Sequence, residues 1–448
     1  MAGVRIVDLA EVHAGPLGAT LLADLGADVI KVESYPRNSL TRPLRPDARV
    51  ADGPGPPYER TAPQTQSNRN KRFVALNIRA GPGADVLHRL LDSADVLVEG
   101  YAAGTIQRLG FSWDVVHERH PRLTMISMPA WGVRGPYFGY VALGSGVEGT
   151  TGHLRARGLP AGGVEDIAST VATDASAPLA VAFASIAALR RREETGEGSF
   201  IDLSHAEAFS WYLAGLLGEE VLAGRRYRGQ GNADPYVVPH GCYRASGDGP
   251  GGSGHWVAIA AETDAQWAGL ASLLGHPEWA DDGHPWASIA GRLAGRIEID
   301  GILASFVRGR DRWEVADVVQ RAGAIAAPVL EPSAMLASPQ LQARSWFVPV
   351  MHRYLGERLM PGFLTRVAPD APAWERPAGL VGEHNEEVLS ELGYAPAAIA
   401  ALRAAGVIGD GYGGAGPPAA ATAKAGRPRP GADRPEGGST ARTPPASG

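Results

Sequence analysis

Over its first 130 residues the chain switches repeatedly between strand-like and helix-like hydrophobic periods. That alternation constrains the fold more than any other feature. Val4–Leu9 reads as a short buried strand. Pro16–Gly26 reads as a helix with glycine at its C-terminal end, and Asp28–Val32 as a second strand. Arg42–Ser67 is rich in proline, glycine and polar residues and reads as loop. Phe73–Ile78 is a third strand, and Gly83–Asp92 is a helix with Leu87, Leu90 and Leu91 on one face. Val96–Val98 and Leu123–Met128 are further strands. Strands separated by helices call for parallel βαβ units, so the expected fold class is α/β with an open parallel sheet.

From Ser176 to Glu193 the pattern is a long buried helix. It ends in Arg190-Arg191-Arg192, cations suited to the negative end of a helix dipole. Phe200–Leu203 is a strand and His205–Ala223 a helix. Gly224–Gly254, rich in glycine and proline, leads into a second region. That region holds a strand at Trp256–Ala260 and helices at Asp264–Leu274, Ile297–Val307 and Trp313–Ala322. Pro339–Gly393 reads as loop and short strand, with closing helical turns at Leu389–Leu392 and Pro396–Ala405. After Ile408 the chain has no Leu, Ile, Val, Phe or Trp, so residues 409–448 form a Pro/Gly/Ala-rich tail. Such a tail buries too little apolar surface to offset ordering and is expected to be disordered.

With 42 Lys+Arg against 48 Asp+Glu, the net charge is -6. A chain of 448 residues gains little overall field from that, so neither nucleic acid nor an anionic membrane is an expected partner. A polyanionic ligand must be met by local basic groups. The one cysteine, Cys242, has no His/Asp cluster beside it, is read as inert, and fits a reducing compartment. The start lacks a signal-peptide layout, and the longest apolar stretch, Pro178–Leu189, falls short of the about 20 residues a bilayer span needs. A cytoplasmic protein is expected. No HExxH, paired CxxC or Walker loop is present, so no metal and no nucleotide hydrolysis are expected.

Several short motifs follow one another in a fixed order. The opening run is Val4-Arg5-Ile6-Val7-Asp8-Leu9, His13-Ala14-Gly15-Pro16 and Leu22-Ala23-Asp24-Leu25-Gly26-Ala27-Asp28-Val29-Ile30-Lys31-Val32-Glu33. Ser67-Asn68-Arg69-Asn70-Lys71-Arg72, Asp95-Val96-Leu97-Val98-Glu99-Gly100-Tyr101, Arg108-Leu109-Gly110-Phe111 and Gly132-Val133-Arg134-Gly135-Pro136-Tyr137 come next. Asp174 then precedes Thr195-Gly196-Glu197, and Pro328-Val329-Leu330, Ser338-Pro339-Gln340-Leu341 and Gly382-Glu383-His384 close the series. Each piece is weak alone. In this order and spacing, over roughly residues 3 to 408, the chain resembles the family III coenzyme A transferases, a group that includes formyl-CoA transferase and the α-methylacyl-CoA racemases.

The resemblance implies a Rossmann-like large domain built from both chain ends, with a smaller central α+β domain. On that plan residues 1–223 begin the large domain, 224–330 form the small one, and 331–408 return to the large one. It also implies two chains interlocked as a dimer, as a homodimer or with a related chain. The substrates would be an acyl-CoA and a carboxylic acid, with no cofactor beyond the CoA thioester itself. Asp174 takes the place of the family's nucleophile, which carries CoA as an aspartyl thioester.

The residues themselves leave a second reading of Asp174, since aspartate is common at helix starts, where it accepts orphan N–H groups. The two readings are compatible, because a helix N-terminus favours the ionised carboxylate that nucleophilic attack needs. Asp166 is a rival at the wrong spacing. By resemblance, His13 and Ala14 meet CoA near its reactive end. By resemblance Asn70, Lys71, Arg72 and Arg108 are placed at the CoA phosphates, where arginine binds bidentately and lysine as a point charge; on the residues alone such a run is more often a solvated basic turn. Formyl-CoA transferases carry Gln in place of His13 and Arg in place of Ser34, so at the latter position either Arg37 or Arg42 substitutes or the contact is lost. By resemblance Glu148 falls in a loop approaching the site, where it is either an exposed loop acid or a hydrogen-bond partner of the substrate or the intermediate. Gly229-Gln230-Gly231-Asn232 and Gly249-Pro250-Gly251-Gly252-Ser253-Gly254 are read as linker, hairpin loop or a water-excluding lid. Two other activities stay open. A racemase needs a His/Asp pair, but Phe138-Gly139-Tyr140-Val141-Ala142-Leu143-Gly144 holds no histidine and His153 is out of register. A non-catalytic subunit of a two-chain transferase is the other.

Overall fold

The computed structural model describes residues 1–45, 50–224, 229–249, 254–367 and 375–413. The strands read from the first half are present as one six-stranded sheet. They are β1 (Arg5–Asp8), β2 (Asp28–Ser34), β3 (Lys71–Leu76), β4 (Val96–Glu99), β5 (Thr124–Ser127) and β6 (Phe200–Asp202). They lie in the order β3-β2-β1-β4-β5-β6, and every neighbouring pair is parallel. The order reverses between β1 and β4. Loops leaving those two strands diverge and open a crevice at their carboxyl ends, where α/β sheets bind ligands.

Both faces of the sheet are covered, as a parallel sheet requires. Strand residues alternate between the faces. Val7, Ile30, Val74 and Leu97 point to one core, which they share with Leu87 and Leu90 of the helix Gly81–Asp92 and with Val388, Leu389 and Ile399 near the far end of the chain. Ile6, Val29, Val96 and Ile126 point to the other. There they meet Leu22 of the helix Ala14–Asp24 and Ala177 and Val181 of the helix Thr173–Thr195. These two helices lie in close contact because Gly18 has no side chain. A Cβ there would stand 2.7 Å from the Cβ of Val181.

A second, antiparallel sheet, β7 (His240–Arg244), β8 (Trp256–Ala260) and β9 (Ile325–Val329), has its own core around Trp267, Leu270, Leu303 and Val319. β9 lies at the edge of this sheet, where Pro328 is tolerated. β10 (Phe347–His352) and β11 (Gly356–Pro361) form a hairpin. Residues Met1–Tyr412 make one compact unit. Packing runs beyond Ile408. Asp410 pairs with Arg403, and the buried Tyr412 ring meets Tyr58 edge-on at 5.3 Å. Residues 414–448 of the expected tail lie outside the described residues. Among the described residues no helix is long and apolar enough to cross a membrane.

Candidate active site

Asp174 is the second residue of the helix Thr173–Thr195, which begins without a side-chain cap. Its carboxylate is half-buried and, among the described residues, takes part in no hydrogen bond or ion pair. It is therefore not committed to capping. Burial, and secondarily the negative charge of Glu148, push its pKa up to about 6. The helix dipole was expected to hold it low. Desolvation and a like charge outweigh the partial positive charge of the helix end. At neutral pH the group is still ionised, and it is a more basic carboxylate than usual.

Glu148 does not sit in a loop. It lies on the short helix Gly144–Thr150 and is fully buried. Four donors converge on it. Ser169 Oγ (2.5 Å) and the Thr170 amide (3.1 Å) donate to one oxygen, and Thr170 Oγ1 (2.6 Å) and the Ala172 amide (2.8 Å) to the other. Burial alone would raise its pKa, but these bonds bring it down to about 2. With every lone-pair direction met by protein donors, Glu148 has nothing left to offer a substrate. The expected substrate contact is replaced by a clamp on the segment leading to Asp174.

Two turns carry valine in the left-handed region. Val171, three residues before Asp174, has φ 53°, and Val12, next to His13, has φ 69°. A β-branched residue in the left-handed region is a genuine outlier and persists only where the surroundings over-determine it.

His13 begins the helix after β1. Its Nδ1 lies 2.6 Å from Ser67 Oγ, and burial holds its pKa below the usual value. Ala14 is buried beside it. Arg108 ends the short helix Thr105–Arg108 after β4. It is exposed, with Thr105 Oγ1 on the same helix as its hydrogen-bond partner at 2.8 Å. His13 and Arg108 thus follow the two strands that bound the crevice.

The other residues expected at the CoA phosphates are committed elsewhere. Lys71 is fully buried and its ammonium lies within 3.2 Å of Asp8, Pro16 O, Ser67 O and Asn68 Oδ1. Arg72 is bound by Asp28, Glu387 and Glu391, which tie the chain's far end to the amino ends of β2 and β3. Asn70, at that same end, bonds Asp24 and the amides of Glu375 and Arg376. Ligands of α/β sheets bind at the opposite, carboxyl end. Arg42 is enclosed by Glu33, Glu59 and Gly379 O, so of the two substitutes only Arg37, exposed and paired with Glu11, faces solvent. Asp166 lies on an exposed turn and accepts from the Gly163 amide. Gly229 and Gly231 lie against Gly158. Residues 250–253 of the second glycine stretch fall outside the described residues.

Sequence reasoning missed Gly144, Ser169 and Thr170. A Cβ on Gly144 would stand 2.9 Å from Asp174 Oδ1 and 2.5 Å from Val171 Cγ1. The run Ser169-Thr170 carries ordinary turn chemistry, and only the fold shows that it faces Glu148. Among the described residues no group of three or more His, Cys, Asp or Glu is placed to hold a metal.

The model of the family described as CoA-transferase family III matches residues 1–385. The chain belongs to this family. The beta subunit of succinyl-CoA–L-malate CoA-transferase from Chloroflexus aurantiacus is 32% identical over 416 residues, 91% of this chain and 98% of that protein. Formyl-CoA:oxalate CoA-transferase from Streptomyces coelicolor is 28% identical over 422 residues, 91% of this chain and 99% of that one. The crystal structure of a CAIB/BAIF family protein from Brucella suis matches with a TM-score of 0.76 at 26% identity, covering 87% of this chain and 98% of that one. This family III CoA transferase is accordingly a transferase enzyme with the family's six-stranded parallel sheet and smaller antiparallel sheet.

Proposed function

We propose that the enzyme moves CoA from an acyl-CoA donor to a carboxylic acid acceptor through a thioester on Asp174. The observation that carries this is the Asp174 carboxylate itself: half-buried, unpaired among the described residues and unusually basic. One carboxylate oxygen attacks the donor thioester carbonyl. The carbon–sulfur bond breaks, giving an acyl-aspartyl anhydride and CoA thiolate. The thiolate attacks the aspartyl carbonyl and expels the donor carboxylate, leaving aspartyl-CoA. The acceptor carboxylate then attacks the aspartyl carbonyl and frees thiolate, which attacks the new acyl carbonyl and restores Asp174. Thioester energy is conserved throughout, and the scheme needs no cofactor. His13 and Ala14 flank the reacting end, and Arg108 meets the phosphates. Asp174→Asn and Asp174→Ala test this. Transfer from every donor in an acyl-CoA panel should be abolished with the fold intact, and normal turnover in either variant would overturn the assignment.

The helix Thr173–Thr195 presents Leu179, Phe183 and Ile186 to solvent at helical spacing. Phe183 is 76% exposed, and Trp211 and Leu222 nearby in sequence are 81% and 88% exposed. Apolar surface on that scale marks an interface. The proposed cover is a second chain, interlocked as a homodimer or supplied by a related subunit. The named alpha and beta subunits of the Chloroflexus aurantiacus malate transferase are both similar to this chain. Light scattering on the purified chain should give twice the monomer mass, and a monomer would favour a heteromeric partner. A cytoplasmic location is proposed on the same footing as in the sequence.

A further inference from the structure

We infer that Glu148 is a positioning residue for Asp174, fastening the 169–172 segment from behind and never meeting the substrate. The inference rests on Asp174 being the nucleophile. Glu148 is fully buried, and its two oxygens take four hydrogen bonds from three residues of the segment just before the helix Thr173–Thr195. The segment holds a conformation it would not adopt unaided, with Val171 at φ 53° and the Ser169 hydroxyl also accepting from the Val171 amide. Thr173 Oγ1 donates to Gly144 O, so the first turn of the short helix Gly144–Thr150 touches the same run. One buried carboxylate therefore holds a strained turn whose next residues are Thr173 and Asp174. Hydrogen bonds to a charged acceptor are roughly twice as strong as neutral ones, which suits it to that task.

The clamp also sets charge. Its negative charge is one of the two causes that raise Asp174. Among the described residues, the ionisable groups nearest Glu148 besides Asp174 are His153, Arg157 and His205. His153 Nδ1 lies 3.4 Å from Glu148 Oε1, with its ring edge-on to Phe209. Arg157 bonds Ala168 O and approaches Thr170 Oγ1 at 3.4 Å. His205 begins the helix His205–Ser210, where burial lowers its pKa to about 4. With its pKa brought down to about 2 by the four hydrogen bonds, Glu148 is an anion at working pH.

The test follows the rate of hydroxylamine-trappable adduct formation on Asp174 against pH, in full-length enzyme under single turnover. Glu148→Gln removes the charge and turns an amide toward backbone N–H groups. The maximal rate should fall by about tenfold or more, because small misplacements of a reacting group are costly. Its acid limb should move to lower pH. The double variant Ser169→Ala/Thr170→Val keeps the charge but loses both hydroxyl donors. It should lower the rate while leaving the acid limb in place, and it reads the clamp even where Glu148→Gln melts early. A raised KM for acyl-CoA at unchanged maximal rate would mean substrate contact and overturn the inference. So would an unchanged rate and acid limb in folded Glu148→Gln. Absence of any adduct in the unaltered enzyme is a different failure: it removes the nucleophile and this inference with it.

Discussion

Gly144 and Asp174 are so close that a single added methyl group would stand 2.9 Å from the carboxylate oxygen. The same methyl would fall 2.5 Å from Val171 Cγ1. Neither neighbour can retreat freely, since the turn carrying Val171 is fixed by Glu148. Gly144→Ala should therefore cost roughly 1–3 kcal/mol through overpacking. It should slow transfer by about tenfold or more through displacement of the nucleophile. Chemical denaturation and steady-state kinetics check the two parts. Wild-type values for both would mean that this contact does not bear on the site.

Activity should fall with acid. Attack needs the ionised Asp174, whose pKa lies at about 6, so adduct formation should drop roughly tenfold per pH unit below that point. The stability linkage runs the other way. A carboxylate whose folded pKa is raised binds its proton more tightly in the native state. It therefore destabilises the fold once pH rises through the window from its ordinary value of 3.8 to about 6. Asp174→Asn should melt at a higher temperature than the unaltered enzyme at neutral pH while losing activity. A lower melting temperature would show that the carboxylate is stabilised by a partner.

Arg108 and Lys71 should behave oppositely. Arg108 is exposed on the helix after β4 and is the cation proposed to meet the phosphates, so Arg108→Ala should raise KM for acyl-CoA about tenfold with little change in kcat, as expected for loss of one charged hydrogen bond. The effect should shrink in high salt. Lys71→Ala should instead lower the melting temperature. If Lys71→Ala alters KM alone, its buried network is not what holds it.

Asp8 lies fully buried between two ammonium groups, Lys71 at 2.8 Å and Lys31 at 3.4 Å. Burial by itself would raise its pKa, but the two cations bring it below the usual range. Asp8→Asn leaves both lysines buried without a counter-charge and should cost about 3–5 kcal/mol. Stability contributed by Asp8 is present above its unfolded pKa and lost as pH falls through the folded one. Acid unfolding should therefore move to higher pH in a variant with either lysine removed.

The large sheet was legible because burial on both faces makes its strands dense in apolar residues, and helices at fixed spacing separate them. All six of its strands were read within a few residues. β7 and β9 were not, since His240–Arg244 and Ile325–Val329 are short, half-exposed and broken by glycine or proline. The helix read as one piece from His205 to Ala223 is interrupted by a tighter turn at Trp211–Leu213. The proposal for Asp174 starts from its spacing to Thr195-Gly196-Glu197, which the sequence carries. The intrachain partners of Asn70, Lys71 and Arg72 were not legible, because in sequence the run looks like a solvated basic turn. Its partners, Asp8, Asp24, Asp28, Glu387 and Glu391, come from distant parts of the chain. The hydrogen-bond partners of Glu148 were not legible, because Ser169 and Thr170 reach it only through the fold.

The most direct measurement is peptide mass spectrometry of the enzyme incubated with a panel of acyl-CoAs and quenched with hydroxylamine. A hydroxamate on the peptide carrying Asp174 is the predicted result, and the thioester that produces it identifies the donor class. A hydroxamate on another carboxylate, Asp166 included, or none while CoA demonstrably binds, would contradict the assignment of Asp174 as the carrier.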